Sequence, residues 1–143
     1  MASARQQAIA ERELCGLVNG LAEQIAAHVR ERADSLGITA AQATALRELT
    51  GPMTMRELAE RMSCEPSNAT FVVDRLEKQG LVERRAHATD RRAKQLVLTP
   101  DGTKLRRRLL ALLAQDSPLA ALSADQQRTL HDLLEQAIVP PTG

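Results

Sequence analysis

The chain has 143 residues, enough for one domain with a real core, and its formal net charge is +1. One Phe and no Trp or Tyr exclude an aromatic platform for stacking single-stranded nucleic acid. No apolar run approaches transmembrane length, and the start MASARQQAIAERE lacks the apolar core of a signal peptide, so a cytoplasmic protein with no membrane partner is expected.

The charge is unevenly placed. Residues 1–74 hold seven Lys/Arg and ten Asp/Glu, residues 75–108 eleven and four, and residues 109–143 one and four, giving −3, +7 and −3. A basic middle between two mildly acidic ends is the footprint of a face that meets phosphate. The competing reading is a set of solvated helix faces.

In chain order, Leu14, Leu17, Val18, Leu21, Ile25 and Val29 recur at helical spacing and mark one long first helix, ended by Gly37. Thr39 with Gln42 forms a capping box for a second helix, which turns Ala43, Leu46 and Leu49 inward until Gly51-Pro52 closes it. Thr54 with Glu57 repeats that box before a third helix, whose apolar stripe is Met55, Leu58, Ala59 and Met62. Ser63-Cys64-Glu65 reads as a tight turn. A fourth helix runs over 66–79: Pro66 suits a first turn where a missing N–H costs nothing, and Ala69, Val72, Val73 and Leu76 form the buried stripe. Gly80 stops it. Two strand-like runs over 82–85 and 94–98 flank a charged loop. Thr99-Pro100 starts a fifth helix carrying Leu105, Leu109, Leu112 and Leu113. Ser123 with Gln126 starts a sixth, with Leu130, Leu133, Leu134 and Ile138 in phase until Pro140-Pro141.

Helix, turn, helix and basic hairpin define a mainly α fold with a small β wing, a winged helix-turn-helix over 38–99. Such a module lays one helix in the major groove of double-stranded DNA and the hairpin against the neighbouring backbone. The helices over 9–35 and 100–138 keep leucine stripes that the module does not need. They are expected to form a dimerisation region, because a two-fold reader of a pseudo-palindromic site acts as a homodimer; the alternative is a monomer with these helices packed on its own module.

With the buried stripe of the fourth helix inward, Ser67, Phe71, Asp74 and Lys78 project outward, with Asn68, Thr70 and Arg75 on the shoulders. Asn68 can pair bidentately with adenine, and the hydroxyls of Ser67 and Thr70 can serve bases or phosphates. Phe71 either rests on a thymine methyl or leans into the core or wing. Asp74 would repel phosphate and is expected to pair with Lys78 one turn on. The hairpin carries Arg84, Arg85, Arg91, Arg92 and Lys94 around the tip His87-Ala88-Thr89-Asp90. Guanidinium groups on a narrow loop fit the minor groove, with Asp90 orienting one of them.

The run LAERMSCEPSNATFVVDRLEKQGLVERRAHATDRRAKQLVLTPDG resembles the core of the MarR family of bacterial transcription regulators. D-R-R followed by L-V-L-T-P-D-G is similar to that family's wing signature, with Asp90 and Arg92 at its acidic and basic positions. The resemblance is specific over 36–105. It implies a dimeric winged-helix repressor or activator whose DNA affinity changes with a small-molecule effector or with oxidation. It also implies DNA contacts at Ser67, Asn68, Thr70 and Arg75, and a wing-tip arginine at Arg92. The absence of Tyr and Trp departs from members that line a phenol pocket with aromatics.

Chemistry of other kinds is missing: there is no glycine-rich phosphate loop, G-x-S-x-G or H-E-x-x-H, and His28, His87 and His131 are not at ligand spacing. Neither an enzyme, a cofactor nor a metal is expected. Cys15 and Cys64 make no disulfide framework. Cys15 matches the sensor cysteine of the resembled family's peroxide branch, but that branch supports its thiolate with tyrosine hydroxyls, so a packed Cys15 and a passive Cys64 are expected. Besides a redox-sensing regulator, the rival function is a winged helix that binds protein rather than DNA.

Overall fold

The structure is a computed structural model that describes residues 3–86, 89 and 94–138. In chain order it forms α1 (Ala4–Ser35), α2 (Ala40–Glu48), α3 (Met55–Met62), α4 (Pro66–Lys78), β1 (Val82–Ala86), β2 (Lys94–Leu98), α5 (Pro100–Ala114) and α6 (Ala124–Ala137). This is the winged helix-turn-helix order read from the sequence. Helix α1 begins before its first apolar residue because Ser3 and Gln6 close a reciprocal capping box. The boxes at Thr39/Gln42 and Ser123/Gln126 form as expected. At α3 only half the expected box is made: Thr54 accepts from the Glu57 N–H, and no return bond from the Glu57 side chain is present.

The core lies where α2, α3, α4, the hairpin, the C-terminal part of α1 and α5 meet. Leu46, Leu49, Leu58, Leu76, Leu96, Leu109, Val73 and Val82 are fully buried there. Each contributes about 1.5–3 kcal/mol through removal of apolar surface from water. The strands pair antiparallel, Val82 opposite Leu98 and Arg84 opposite Leu96. Met53, between α2 and α3, extends this ribbon by one bridge: its N–H donates to the Leu96 carbonyl and its carbonyl accepts from the Leu96 N–H.

Helix ends are closed by long-range arginines. Arg32 of α1 donates to the Leu112 and Gln115 carbonyls at the end of α5, at 2.9 and 2.8 Å, and His28 Nε2 lies 2.8 Å from the Leu113 carbonyl. Arg106 of α5 donates to the Leu46 and Arg47 carbonyls at the end of α2. The two arginines satisfy carbonyls that a helix cannot pair internally and place positive charge at its negative end.

One junction ties four elements together. Gly80 ends α4 at φ 75°, a left-handed turn that lets the Leu81 N–H bond back to the Leu76 carbonyl. The Leu81 carbonyl then accepts from the Thr99 N–H, while the Thr99 hydroxyl donates to the Gly80 carbonyl at 2.6 Å and accepts from the Gly102 N–H at 3.0 Å. Gly102 is buried against Leu81; a Cβ there would run into its carbonyl group, whose carbon lies 2.9 Å from the Cβ position. Gly102→Ala is therefore expected to destabilise the protein by about 1–3 kcal/mol through overpacking against backbone. Urea unfolding measures this, and a change below about 0.5 kcal/mol would mean the approach relaxes freely.

Candidate nucleic-acid interface

Helix α4 presents its stripe Ala69, Val72, Val73 and Leu76 to the core, as expected, and leaves Ser67, Asn68, Phe71, Asp74, Arg75 and Lys78 exposed. The turn before it lacks glycine, so Ser63 takes the left-handed conformation, φ 54°, at a cost of about 1–2 kcal/mol. Cys64 follows, half-buried. Glu65 at the N-cap makes no side-chain hydrogen bond, and Pro66 occupies the first turn. The helix thus enters from a stiff, uncapped corner. Thr70 uses its proton on the Pro66 carbonyl at 2.9 Å, so its hydroxyl can accept but not donate further.

Phe71 does not lean into the core. It is 59% exposed, and the Arg75 guanidinium stacks over its ring at 4.7 Å from the centroid. Asp74 does not pair with Lys78; it holds Arg84 from β1, which also lies 3.4 Å from Glu77. The Arg84 Nε is buried and meets Glu77 as a charge contact without hydrogen-bond geometry. The reason is strand pleat. Val82 is buried, so Arg84 two residues on shares its face and turns toward α4, while Glu83 and Arg85 point outward and pair with each other. Of the four arginines assigned to the wing from the sequence, two lie among the described residues: Arg84 braces the hairpin on the recognition helix, and Arg85 stays on the exposed face.

Lys94 is exposed opposite Ala86. Asp90, Arg91 and Arg92, with His87, lie outside the described residues. Among the described residues, Lys78, Lys94, Lys104, Arg107 and Arg108 are exposed cations with no ion pair, while Arg106 is taken up in capping α2. The surface charge available to an anion is therefore smaller than the sequence total of this segment.

Cys15 is exposed in the single chain, contrary to the expected packing. It sits on the N-terminal half of α1 beside the equally exposed Leu14, Leu17 and Val18, because no element of its own chain reaches that half. On α6, His131 meets Asp132 through Nδ1 and Glu135 through Nε2. All three are exposed, with one ligand atom from each lying within 4.8 Å of the others, and two carboxylates beside a histidine on a solvated helix face are ordinary surface ion pairing. Reading histidines alone missed this group. Among the described residues no helix is long and apolar enough to cross a membrane.

A helix exposed after a tight turn and braced by a two-stranded wing defines a winged helix-turn-helix protein. The model of the MarR family matches residues 38–94. The helix-turn-helix-type transcriptional repressor MdtR of Bacillus subtilis (strain 168) is 36% identical over 87 residues, 59% of this chain and 56% of that protein, so the match spans little over half of the curated relative. The crystal structure of transcriptional regulator PA3341 superposes with a TM-score of 0.77 at 30% identity, covering 87% of this chain and 94% of that one. A cysteine-to-serine variant of MarR from E. coli, solved in complex with operator DNA, superposes with a TM-score of 0.71 at 26% identity, covering 96% and 100%. The chain belongs to the MarR family, and the relatives it matches are transcriptional regulators.

The brace is open to measurement. In a double-mutant cycle of Arg84→Gln and Asp74→Asn, urea unfolding should give a coupling of about 0.2–1 kcal/mol, the range for a partly exposed pair. Zero coupling would mean that this ion pair does not brace the hairpin on α4 in solution.

Proposed function

We propose that the protein is a cytoplasmic, homodimeric repressor that binds a pseudo-palindromic site in double-stranded DNA and is released by a small-molecule effector. The observation that carries the reading is α4: its outer face is exposed, polar at its start, and set at a fixed angle to a basic hairpin. Support comes from the operator complex of the E. coli MarR variant and from the repressor role of MdtR. In this reading Ser67 and Asn68 approach base edges, Thr70 accepts a hydrogen bond, and Lys94 and the arginines of the wing follow the backbone.

Homodimerisation is supported by the apolar faces that the single chain leaves uncovered. Leu17 is 71% exposed and Ile138 68%, with Leu14, Val18, Leu133 and Leu134 alongside, and α6 buries no residue on its own chain. Leucine faces of this extent mark an interface. Effector binding is supported by a cleft of about 300 Å³ between α1 and α2, with Ile25, Ala26 and Val29 as an apolar floor and Arg30 and Arg47 at its edge. That lining suits a small acid without aromatic stacking.

Leu17→Glu combined with Leu133→Glu is expected to convert a micromolar dimer into monomer by sedimentation, with loss of operator affinity. A parent chain that sediments as a monomer and fills a single half-site would end the dimer reading. The function itself is tested by duplex binding against salt. If six to ten phosphates are contacted per dimer, affinity should fall by about 10³–10⁵ between 50 and 200 mM salt, whereas a flat response favours a protein-binding module. Asn68→Ala should cost about 1–3 kcal/mol on the operator and spare random duplex, while Arg92→Ala should weaken both and lower the salt slope by about one unit. An unchanged operator-to-random ratio in Asn68→Ala would remove the recognition helix from its reading role.

A further inference from the structure

We infer that Phe71 and Arg75 act as one reading unit that recognises a thymine beside a guanine in each half-site. The inference rests on the DNA-binding reading above and names the base step recognised.

Phe71 stands near the middle of the outer face of α4, 59% exposed, with the Arg75 guanidinium stacked over its ring. A large ring held in water with a cation on its face is a poor device for stability, since the ring buries little and the arginine loses freedom. It is a good device for recognition. Helical side chains lean toward the N-terminus, and stacking draws Arg75 back onto the half of the helix that reaches base edges. A guanidinium placed beforehand loses less freedom on pairing than a free one.

The neighbouring acids do not compete for it. Asp74 and Glu77 lie on the opposite flank of α4 and are engaged by Arg84, so no carboxylate pairs with Arg75 among the described residues. Its donors can therefore take O6 and N7 of guanine, a bidentate major-groove contact. The Phe71 ring offers the complementary group for the thymine C5-methyl, the one apolar feature of that groove. The 4.7 Å between guanidinium and ring centre exceeds one base-pair rise of about 3.4 Å and falls short of two, so the pair addresses adjacent base pairs.

The test selects duplexes from a random pool with the full chain, then measures affinity for the selected duplex, for the same duplex with deoxyuridine in place of the thymine, and for one with the guanine replaced. In the parent, loss of the methyl should weaken binding by about fourfold, the worth of one buried methyl, and loss of the guanine by on the order of tenfold or more. Phe71→Ala should no longer distinguish thymine from uracil, Arg75→Gln should no longer distinguish guanine, and the double variant should lose less than the product of the two single losses. Circular dichroism of each variant checks the fold. Thymine and uracil bound equally by the parent, or two single losses that simply multiply, would overturn the unit while leaving DNA binding intact. A parent that selects no duplex and shows no salt-dependent binding would overturn the DNA-binding reading itself, and this inference with it.

Discussion

The end of the recognition helix, the root of the wing and the start of α5 all meet at Thr99. Its hydroxyl donates to the carbonyl that ends α4 and accepts from an N–H that begins α5, while the Thr99 backbone closes on Leu81 at the root of β1. A single residue therefore holds the turn after α4 and starts α5 with its hydroxyl, and closes the base of the wing with its backbone N–H. Serving all three requires Gly80 to turn left-handed and Gly102 to lie flat on Leu81. The run Leu98-Thr99-Pro100-Asp101-Gly102 then has a physical reading at each position: strand end, cap, proline in the first turn, acid at the positive helix end, and close approach. The family's wing signature is a junction motif before it is a DNA motif.

The basic middle of the chain divides between two jobs that charge counting cannot separate. Arg84 and Arg106 belong to the protein: one neutralises the acids of α4, the other closes α2. Arg61 joins Arg106 at that end of α2, donating to Thr50 at 2.8 Å, and Arg32 closes α5. Arginine suits these sites because its planar fork can reach two carbonyls at once. Within residues 75–108, the cations left exposed among the described residues lie on α4, the wing and α5. Without the Arg84 brace, Asp74 and Glu77 would face any approaching phosphate as two free negative charges.

Features governed by local rules were legible in the sequence. Three reciprocal or half-made threonine and serine boxes, Pro66 in a first turn, glycine stops and the apolar periods marked the elements after α1, because each depends on neighbours three or four positions away, whereas α1, expected from 9, starts at Ala4 on the Ser3/Gln6 box. What was missed depends on contacts between elements. Asp74 was paired with Lys78 by helical proximity, yet β1 brings Arg84 closer; the alternation Val82, Arg84 carried that signal and was overridden by reading all wing arginines as one set. The Met53 bridge to Leu96 had no local sign beyond an apolar residue between Pro52 and Thr54. Cys15 was placed in a core by residue statistics, which assume that the chain covers its own helices, and the N-terminal half of α1 is not so covered.

That uncovered half of α1 gives the hydrogen-bonded helix ends their mechanical meaning. Helix α1 is fixed to the end of α5 by His28 and Arg32, α5 is fixed to α2 by Arg106, and the start of α5 is fixed to the end of α4 by Thr99. This path of hydrogen bonds joins α1 to α4 through α5. In the proposed dimer, the contact between the α1 and α6 faces of two chains would then set the distance between the two recognition helices. DNA offers equivalent major-groove faces once per helical turn, so that distance must match the repeat for both half-sites to be read at once. A ligand in the cleft between α1 and α2 would press on the α1 segment that carries His28 and on α2, whose end Arg106 holds, so it would act on both partners of α5.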